Sequence, residues 1–393
     1  MERPSYRASM RTDDAVVNDV RLRDGFAFSA AVFLAVRILL SLVAVLVVRP
    51  AFPPSPERSG LGVPATPGLH NAVDGTDRWD AAWFERIALE GYDWNTASAA
   101  FFPGYPIAIH GVATALPVGE SGAALLVSNA AFLAALTIMF ALTTLEFSVG
   151  VARRAVVLLA CFPTSYVFMA PYSESLFLVA SLLSFWWARR GRWAAAGFAG
   201  FLAAATRSLG VLIVPALLTE AFGTDRKRRH WAIAASLIPS IAPALYALYW
   251  FIHSGNALTP FEVQATWFRT LTFPLVTLGE ALWLAVVGFR YPQGFYWIID
   301  LVLTAALLLP LALRWRILPR PYLLYVVLGV VTVLSFPPPR PLFSAPRYLM
   351  VLFPVFWLMA SLLTRGKYVV AVVAFTLGFA CMAALFVNWG AVG

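Results

Sequence analysis

An all-α integral membrane protein, built as a polytopic helical bundle, is the fold class this sequence predicts. Three observations carry that prediction. The 393-residue chain is 60% hydrophobic and 12% charged, with a mean hydropathy of +0.76, too apolar for a soluble core and usual for helices in lipid. Apolar runs of roughly 20 residues, the length a straight crossing needs, follow one another along the chain. The basic residues behind the net charge of +9 lie in short clusters between those runs, the pattern of cytoplasmic loops under the positive-inside rule rather than of a nucleic-acid surface. Cys161 and Cys381 both lie in apolar stretches and no CxxC occurs, so neither a disulfide framework nor a cysteine metal site is indicated.

Residues 1–24 read as a cytoplasmic tail, and residues 25–393 as a single transmembrane domain. The first run, Ala27 to Val48, is long enough to span and lacks a small-residue cleavage site, so it is expected to be retained. Spanning helices, about 11 in all, are expected over 25–48, 122–147, 153–170, 174–188, 193–205, 209–222, 231–252, 295–313, 321–336, 347–363 and 368–389. Segments 103–117 and 275–289 are short and proline-flanked, which suits re-entrant elements. A proline-rich stretch, 50–67, reads as an exposed linker.

The basic clusters are the N-terminal tail, Arg153-Arg154, Arg189 to Arg192, Arg226 to Arg229, Arg314 to Arg320, and Arg365 with Lys367. All face the cytoplasm at once if the two short segments enter and leave on the outer side. The first outer loop, 49–121, then shares the outer face with the Pro171–Glu174 turn, the Thr206-Arg207 turn, 253–294 and 337–347. Nearly every polar oddity of the sequence converges there.

Residues 79–90 read as a helix on the membrane surface. At 100° per residue Trp83, Phe84, Ile87 and Gly91 share one face, while Glu85, Arg86 and Glu90 fall elsewhere. Asp80 falls within the apolar face, where a carboxylate is costly unless it has a partner or a role in proton transfer. Asp77 reads either as the helix N-cap, with Asp80 at the third position, or as a site residue. Asp74 reads as solvated loop. His110 and His253 have no partners at ligand spacing, so packing is their default, and the acidic loop contains no DxD.

Trp79-Asp80, Ile87-Ala88-x-x-Gly91-Tyr92 and Phe101-Phe102-Pro103-Gly104-Tyr105-Pro106 together resemble the first outer loop of the PIG-V family, the second mannosyltransferase of glycosylphosphatidylinositol anchor assembly and its prokaryotic homologues. Pro163 with Tyr172-Ser173-Glu174-Ser175-Leu176, then Thr206-Arg207-Ser208-x-Gly210, then Pro346-Arg347-Tyr348 followed by Phe353-Pro354, resemble the family's later motifs in the same order. Leu209 departs from the pattern, standing where a polar residue is expected.

The resemblance implies a GT-C-like glycosyltransferase domain that takes mannose from a polyprenyl-phosphate-mannose donor. It carries the role of catalytic base onto Asp80. One carboxylate suffices for an inverting displacement, because the departing lipid phosphate needs no acid, whereas a retaining route usually wants two. The site should hold fixed cations for that phosphate, and Arg207 and Arg347 are the candidates. Snorkelling or pairing with Glu174 is the alternative for Arg207, and an ordinary helix flank the alternative for Arg347. Ser173 capping the helix from Glu174 accounts for Glu174 without a site role; otherwise Glu174 holds Arg207 or a sugar hydroxyl. Asp77 and Tyr348 complete the candidate substrate-binding set, although Tyr348, Tyr172 and Trp83 also suit an aromatic belt.

No cofactor or metal is expected. The partners expected are the donor lipid, a glycolipid or envelope-glycan acceptor and membrane lipids, with no nucleic acid. The expected location is a prokaryotic plasma membrane with the site outward, or else the endoplasmic reticulum membrane with a lumenal site. A lipid-linked sugar flippase and a non-catalytic subunit of a glycosyltransferase complex are the competing classes. A flippase predicts internal repeats and charges at mid-membrane, while here the polar residues gather at one surface.

Overall fold

The computed structural model describes residues 13–50, 66–93, 95–288, 290–291 and 294–390. Most of the proline-rich linker and the first part of the N-terminal tail lie outside these residues. The chain is helical almost throughout, as its composition requires: in lipid a backbone must satisfy its own polar groups, and among the described residues no strand occurs.

Besides two single turns, Asn71–Asp74 and Thr259–Glu262, the α-helices among the described residues are α1 (Asp13–Val47), α2 (Asp80–Glu90), α3 (Gly104–Ala115), α4 (Gly119–Glu146), α5 (Val149–Cys161), α6 (Glu174–Arg189), α7 (Trp193–Thr206), α8 (Ile213–Phe222), α9 (Arg226–Leu237), α10 (Ile241–Ser254), α11 (Pro274–Gly288), α12 (Gly294–Arg314), α13 (Arg320–Ser335), α14 (Ala345–Met350), α15 (Pro354–Leu362) and α16 (Arg365–Val387). Short 3-10 turns fill several of the joints. Helix α1 begins at Asp13, so part of the segment expected as a tail is helical.

Five stretches among the described residues are long and apolar enough to cross a membrane: Arg23–Val47, Gly119–Glu146, Arg226–Ser254, Gly294–Ile317 and Arg365–Val387. The other apolar helices are shorter. Two expected spans are broken where proline interrupts the hydrogen-bond ladder. The stretch 153–170 ends as α5 at Cys161, ahead of Pro163, and resumes as a 3-10 turn over Ser165–Phe168. The stretch 347–363 divides into α14 and α15 around the non-helical residues before Pro354.

Helix α6 lies at the centre, packed along α4 on one side and α7 on the other, with α1 and α5 behind α4 and with α15 against α5 and α12. Leu178, Leu182, Phe185, Phe353, Phe356 and Trp357 are buried in this core. The faces of α1, α10, α11 and α12 that point away from it expose leucine, valine and phenylalanine, which suits contact with lipid. The protein is an integral membrane protein by this architecture.

Close helix approach explains two glycines of the motifs. A Cβ on Gly104 would meet the Ala205 carbonyl at 2.8 Å, and one on Gly210 would lie 2.3 Å from the Ala204 nitrogen. Both contacts flank Arg207, so these glycines let α3 and the 208–212 turn close around it.

Candidate active site

Helix α2 buries the face read from its spacing: Ala81, Trp83, Phe84, Ile87 and Ala88 are all inside. Trp83 stacks on Phe101 at 5.3 Å and Phe84 meets Tyr105 edge-on at 5.0 Å, so the Phe101–Pro106 motif forms the floor on which α2 rests. Trp83 is therefore a packing residue rather than part of an aromatic belt. His110 contacts the Ala88 carbonyl at 3.0 Å, and His253 pairs with Asp93 at 2.7 Å. Asp74 is exposed, as expected, but it ends a single helical turn, Asn71–Asp74, rather than lying in open loop.

The start of α2 differs from the expected cap. Asp77 is not the N-cap: the helix opens at Asp80, and the residue before it, Trp79, adopts φ 55° without a side-chain cap. A tryptophan in this region is strained, so the surroundings must impose it. Tyr172 does so from another helix joint. Its hydroxyl donates to the Arg78 carbonyl at 3.1 Å and accepts from the Asp80 N–H at 3.3 Å, on either side of Trp79. Arg78 reaches the Val387 carbonyl at 3.2 Å, and the Trp79 ring packs against Trp389, which ties the turn to the end of α16. Tyr172 is fully buried, so it too lies outside any aromatic belt.

This turn aims Asp80 at Arg347, whose Nη2 lies 2.6 Å from Asp80 Oδ2. Arg347 Nε donates to Glu174 Oε1 at 2.5 Å, and Arg207 Nη1 lies 2.7 Å from the same oxygen. The cost of placing Asp80 on an apolar face is thus met by a partner. The Asp80 side chain keeps 26% exposure, against 9% for Arg347 and 0% for Glu174. Glu174 Oε2 is buried without a partner. Ser173 does not cap α6; its Oγ accepts from Arg207 Nη1 at 3.1 Å. The pairing alternative for Arg207 is the observed one, and Arg347 is buried rather than a lipid-facing flank.

Tyr348 joins the same cluster. Its ring is flanked by the guanidinium carbons of Arg207 at 4.9 Å, Arg269 at 5.0 Å and Arg347 at 5.2 Å. Arg269 carries no motif and sequence reasoning missed it; its only signal was a cation within the expected outer segment 253–294.

Asp77 stands apart. It accepts a hydrogen bond from Ser121 Oγ at 3.0 Å and lines a cavity of about 500 Å³ with Glu85, Arg86, Glu90 and Glu120, on a side of α2 that Arg347 does not reach. Burial raises the Asp77 carboxyl above its ordinary range and pushes Glu85, beside Asp77 and Glu120, up to about 9. The carboxylate that burial makes basic is Glu85, on the face read as polar.

Residues 65–224 match the family model described as Mannosyltransferase (PIG-V). The resemblance carried by the motifs is thus shared by the family model over this segment, which is less than half of the chain. Within the matched segment fall residues 65–121 of the first loop, the Pro163–Leu176 stretch and the Thr206–Gly210 turn; Pro346-Arg347-Tyr348 lies beyond it and is joined to it in space. Leu209 is buried in the core, so the departure from the expected polar residue is absorbed by packing. Among solved structures the chain is similar to ArnT from Cupriavidus metallidurans bound to undecaprenyl phosphate, with 14% identity, a TM-score of 0.49, and coverage of 90% of this chain and 63% of that one. It is likewise similar to the same protein in the apo state, with 15% identity, a TM-score of 0.47, and coverage of 88% and 62%. The chain therefore spans less than two thirds of the length of these proteins. No curated protein matches it.

Proposed function

We propose that the chain is an inverting mannosyltransferase, moving mannose from a polyprenyl-phosphate-mannose to a hydroxyl of a lipid-linked or cell-envelope glycan at the outer face of the membrane. The observation that carries this reading is the meeting of Asp80, Glu174, Arg207 and Arg347, the last of them 267 residues from Asp80, in one half-buried ion network. The PIG-V match supports the sugar and the reaction class.

In this reading Asp80 is the base. The acceptor oxygen attacks the anomeric carbon, its proton passes to Asp80, and the bond from that carbon to the phosphate oxygen breaks with its electron pair leaving on the lipid phosphate. Arg347, which holds Asp80 in the resting site, turns toward the phosphate as charge grows there, and Arg207 assists. Glu174 is fully enclosed between two guanidiniums and serves as their counter-charge, which leaves a single carboxylate for chemistry and favours inversion. A β-linked donor then gives an α-mannoside. Tyr348 holds the arginines by its ring, while Asp77, on the far side of α2, is withdrawn from the donor site. The reaction is metal-independent.

Transfer of label from purified polyprenyl-phosphate-mannose to a membrane-lipid extract tests the reading. Wild type should yield a labelled product, in the presence of a chelator as in its absence, and Asp80→Asn should yield almost none. Equal product from both would remove Asp80 from the mechanism. For sidedness, Asp74→Cys should react with an impermeant reagent added outside intact cells, and protection until lysis would reverse the orientation.

A further inference from the structure

The two arginines assigned to the phosphate are already committed. Arg347 is shared between Asp80 and Glu174, and Arg207 is held by Glu174, so two guanidiniums face two carboxylates with no charge left over. An anionic donor arriving at a neutral network gains little unless it breaks pairs that are costly to break. Arg269 changes this balance. Its Nη2 donates to the Tyr348 hydroxyl at 2.9 Å, a neutral partner, and among the described residues it enters no ion pair. Three guanidiniums around one tyrosine ring against two carboxylates leave the cluster one positive charge in excess. An excess cation gathered beside like charges calls for an anion, and a single negative phosphate diester matches it.

The chain around Arg269 fixes where that charge stands. Trp267 packs edge-on against Trp83 at 5.4 Å and Phe101 at 5.8 Å, which anchors the segment to the first-loop helix. The Thr272 N–H donates to the Ser335 carbonyl at 2.8 Å, which anchors its other side to the end of α13. Phe268, between Trp267 and Arg269, adopts φ 56°. The turn through this left-handed residue lets Trp267 seat in the aromatic cluster while Arg269 reaches Tyr348. The segment thus bridges the first and last outer loops and delivers one guanidinium to their meeting point.

We infer that Arg269 is a substrate-binding residue that takes the phosphate of the lipid-linked donor, with the Tyr348 hydroxyl as its resting partner. The inference rests on the reading of this site as one for a lipid-phosphate sugar. Phosphate replaces a neutral acceptor by a charged one, while Arg207 and Arg347 keep their carboxylates until the chemical step.

Binding of farnesyl phosphate, farnesol and inorganic phosphate to the full chain in neutral-lipid nanodiscs, followed by tryptophan fluorescence, tests the inference without requiring turnover. Wild type should bind farnesyl phosphate more tightly than farnesol. Arg269→Gln should weaken farnesyl phosphate roughly tenfold to a hundredfold and leave farnesol unchanged. Arg269→Lys, which keeps the charge, should recover part of the loss, and it carries the comparison if the glutamine variant melts early. Wild-type affinity for farnesyl phosphate in Arg269→Gln, or equal losses for phosphate and alcohol, would overturn the assignment alone. Inorganic phosphate binding as tightly as the lipid, and as dependent on Arg269, would make this a free-phosphate site and overturn it too. A wild type that does not distinguish farnesyl phosphate from farnesol would bring down the donor reading itself, and the inference with it.

Discussion

Helix α6 carries an ion network at each end, and the two differ in what they leave unfinished. At its first residue, Glu174 gathers Arg207 and Arg347 and, through Arg347, Asp80. At its last residue, Arg189 binds Glu146 through Nε at 2.5 Å and Nη2 at 3.1 Å and Glu220 through Nη1 at 3.0 Å, while the Tyr322 hydroxyl donates to Glu146 at 2.9 Å. Each sign suits the helix dipole at its end. The Arg189 network joins the ends of α4, α6 and α8 to the start of α13 through contacts within the protein. The Glu174 network has a half-exposed carboxylate, a buried carboxylate oxygen without a partner, and a third guanidinium resting on a neutral hydroxyl. One end of the helix is a staple; the other is arranged for something that arrives.

That contrast can be broken in several ways. Removing the proposed base should have the largest effect: Asp80→Asn is expected to slow transfer roughly a hundredfold to ten-thousandfold, as loss of a general base does, read as initial rate with labelled donor. Glu174→Gln should cost about 3–5 kcal/mol of stability, because the buried Arg347 and the partly buried Arg207 lose their counter-charge, and should also slow transfer; chemical denaturation and the rate assay together measure this. Arg189→Gln should cost about 1–3 kcal/mol of stability and leave kcat/KM of the folded protein unchanged.

A smaller effect is expected outside both networks, at Glu85. Its folded value near 9 stands above the ordinary 4.5. Below pH 4.5 both folded and unfolded chains carry the proton and nothing is lost. As pH rises from there toward 9 the unfolded chain ionises while the folded one does not, so Glu85 increasingly destabilises the fold. Glu85→Gln should therefore melt near the wild-type Tm at pH 4 and above it at pH 8; a gap that narrows with rising pH would contradict the assignment.

Much of this was legible in the sequence, for identifiable reasons. Hydropathy gives a helical membrane bundle because lipid leaves few alternatives, and the period of residues 79–90 gives the buried face of α2 because packing follows that period. The motif residues Asp80, Glu174, Arg207 and Arg347 were each costly where they stood, which is why they stood out before their meeting could be seen. What local pattern could not give was set from a distance. The cap expected at Asp77 fails because Tyr172, 92 residues from Asp80, holds Trp79 in a strained turn that starts the helix later. Asp77 and Glu85 fall into a separate cavity because Ser121 and Glu120, at the start of α4, close over them. Arg269 stood out only as a cation within 253–294, since its meaning comes from Tyr348, 79 residues on. The Arg189 staple was hidden inside a cluster read only as an orientation signal.

The central claim is that the Glu174 end of α6 carries chemistry as well as stability, and the Arg189 end stability alone. Measuring transfer rate and Tm in parallel for Asp80→Asn and Arg189→Gln, in the same lipid, tests it most directly. The account predicts a crossed pattern, with the asparagine variant folded and nearly inactive and the glutamine variant less stable and fully active per folded molecule. An Asp80→Asn protein that transfers mannose at the wild-type rate would contradict it.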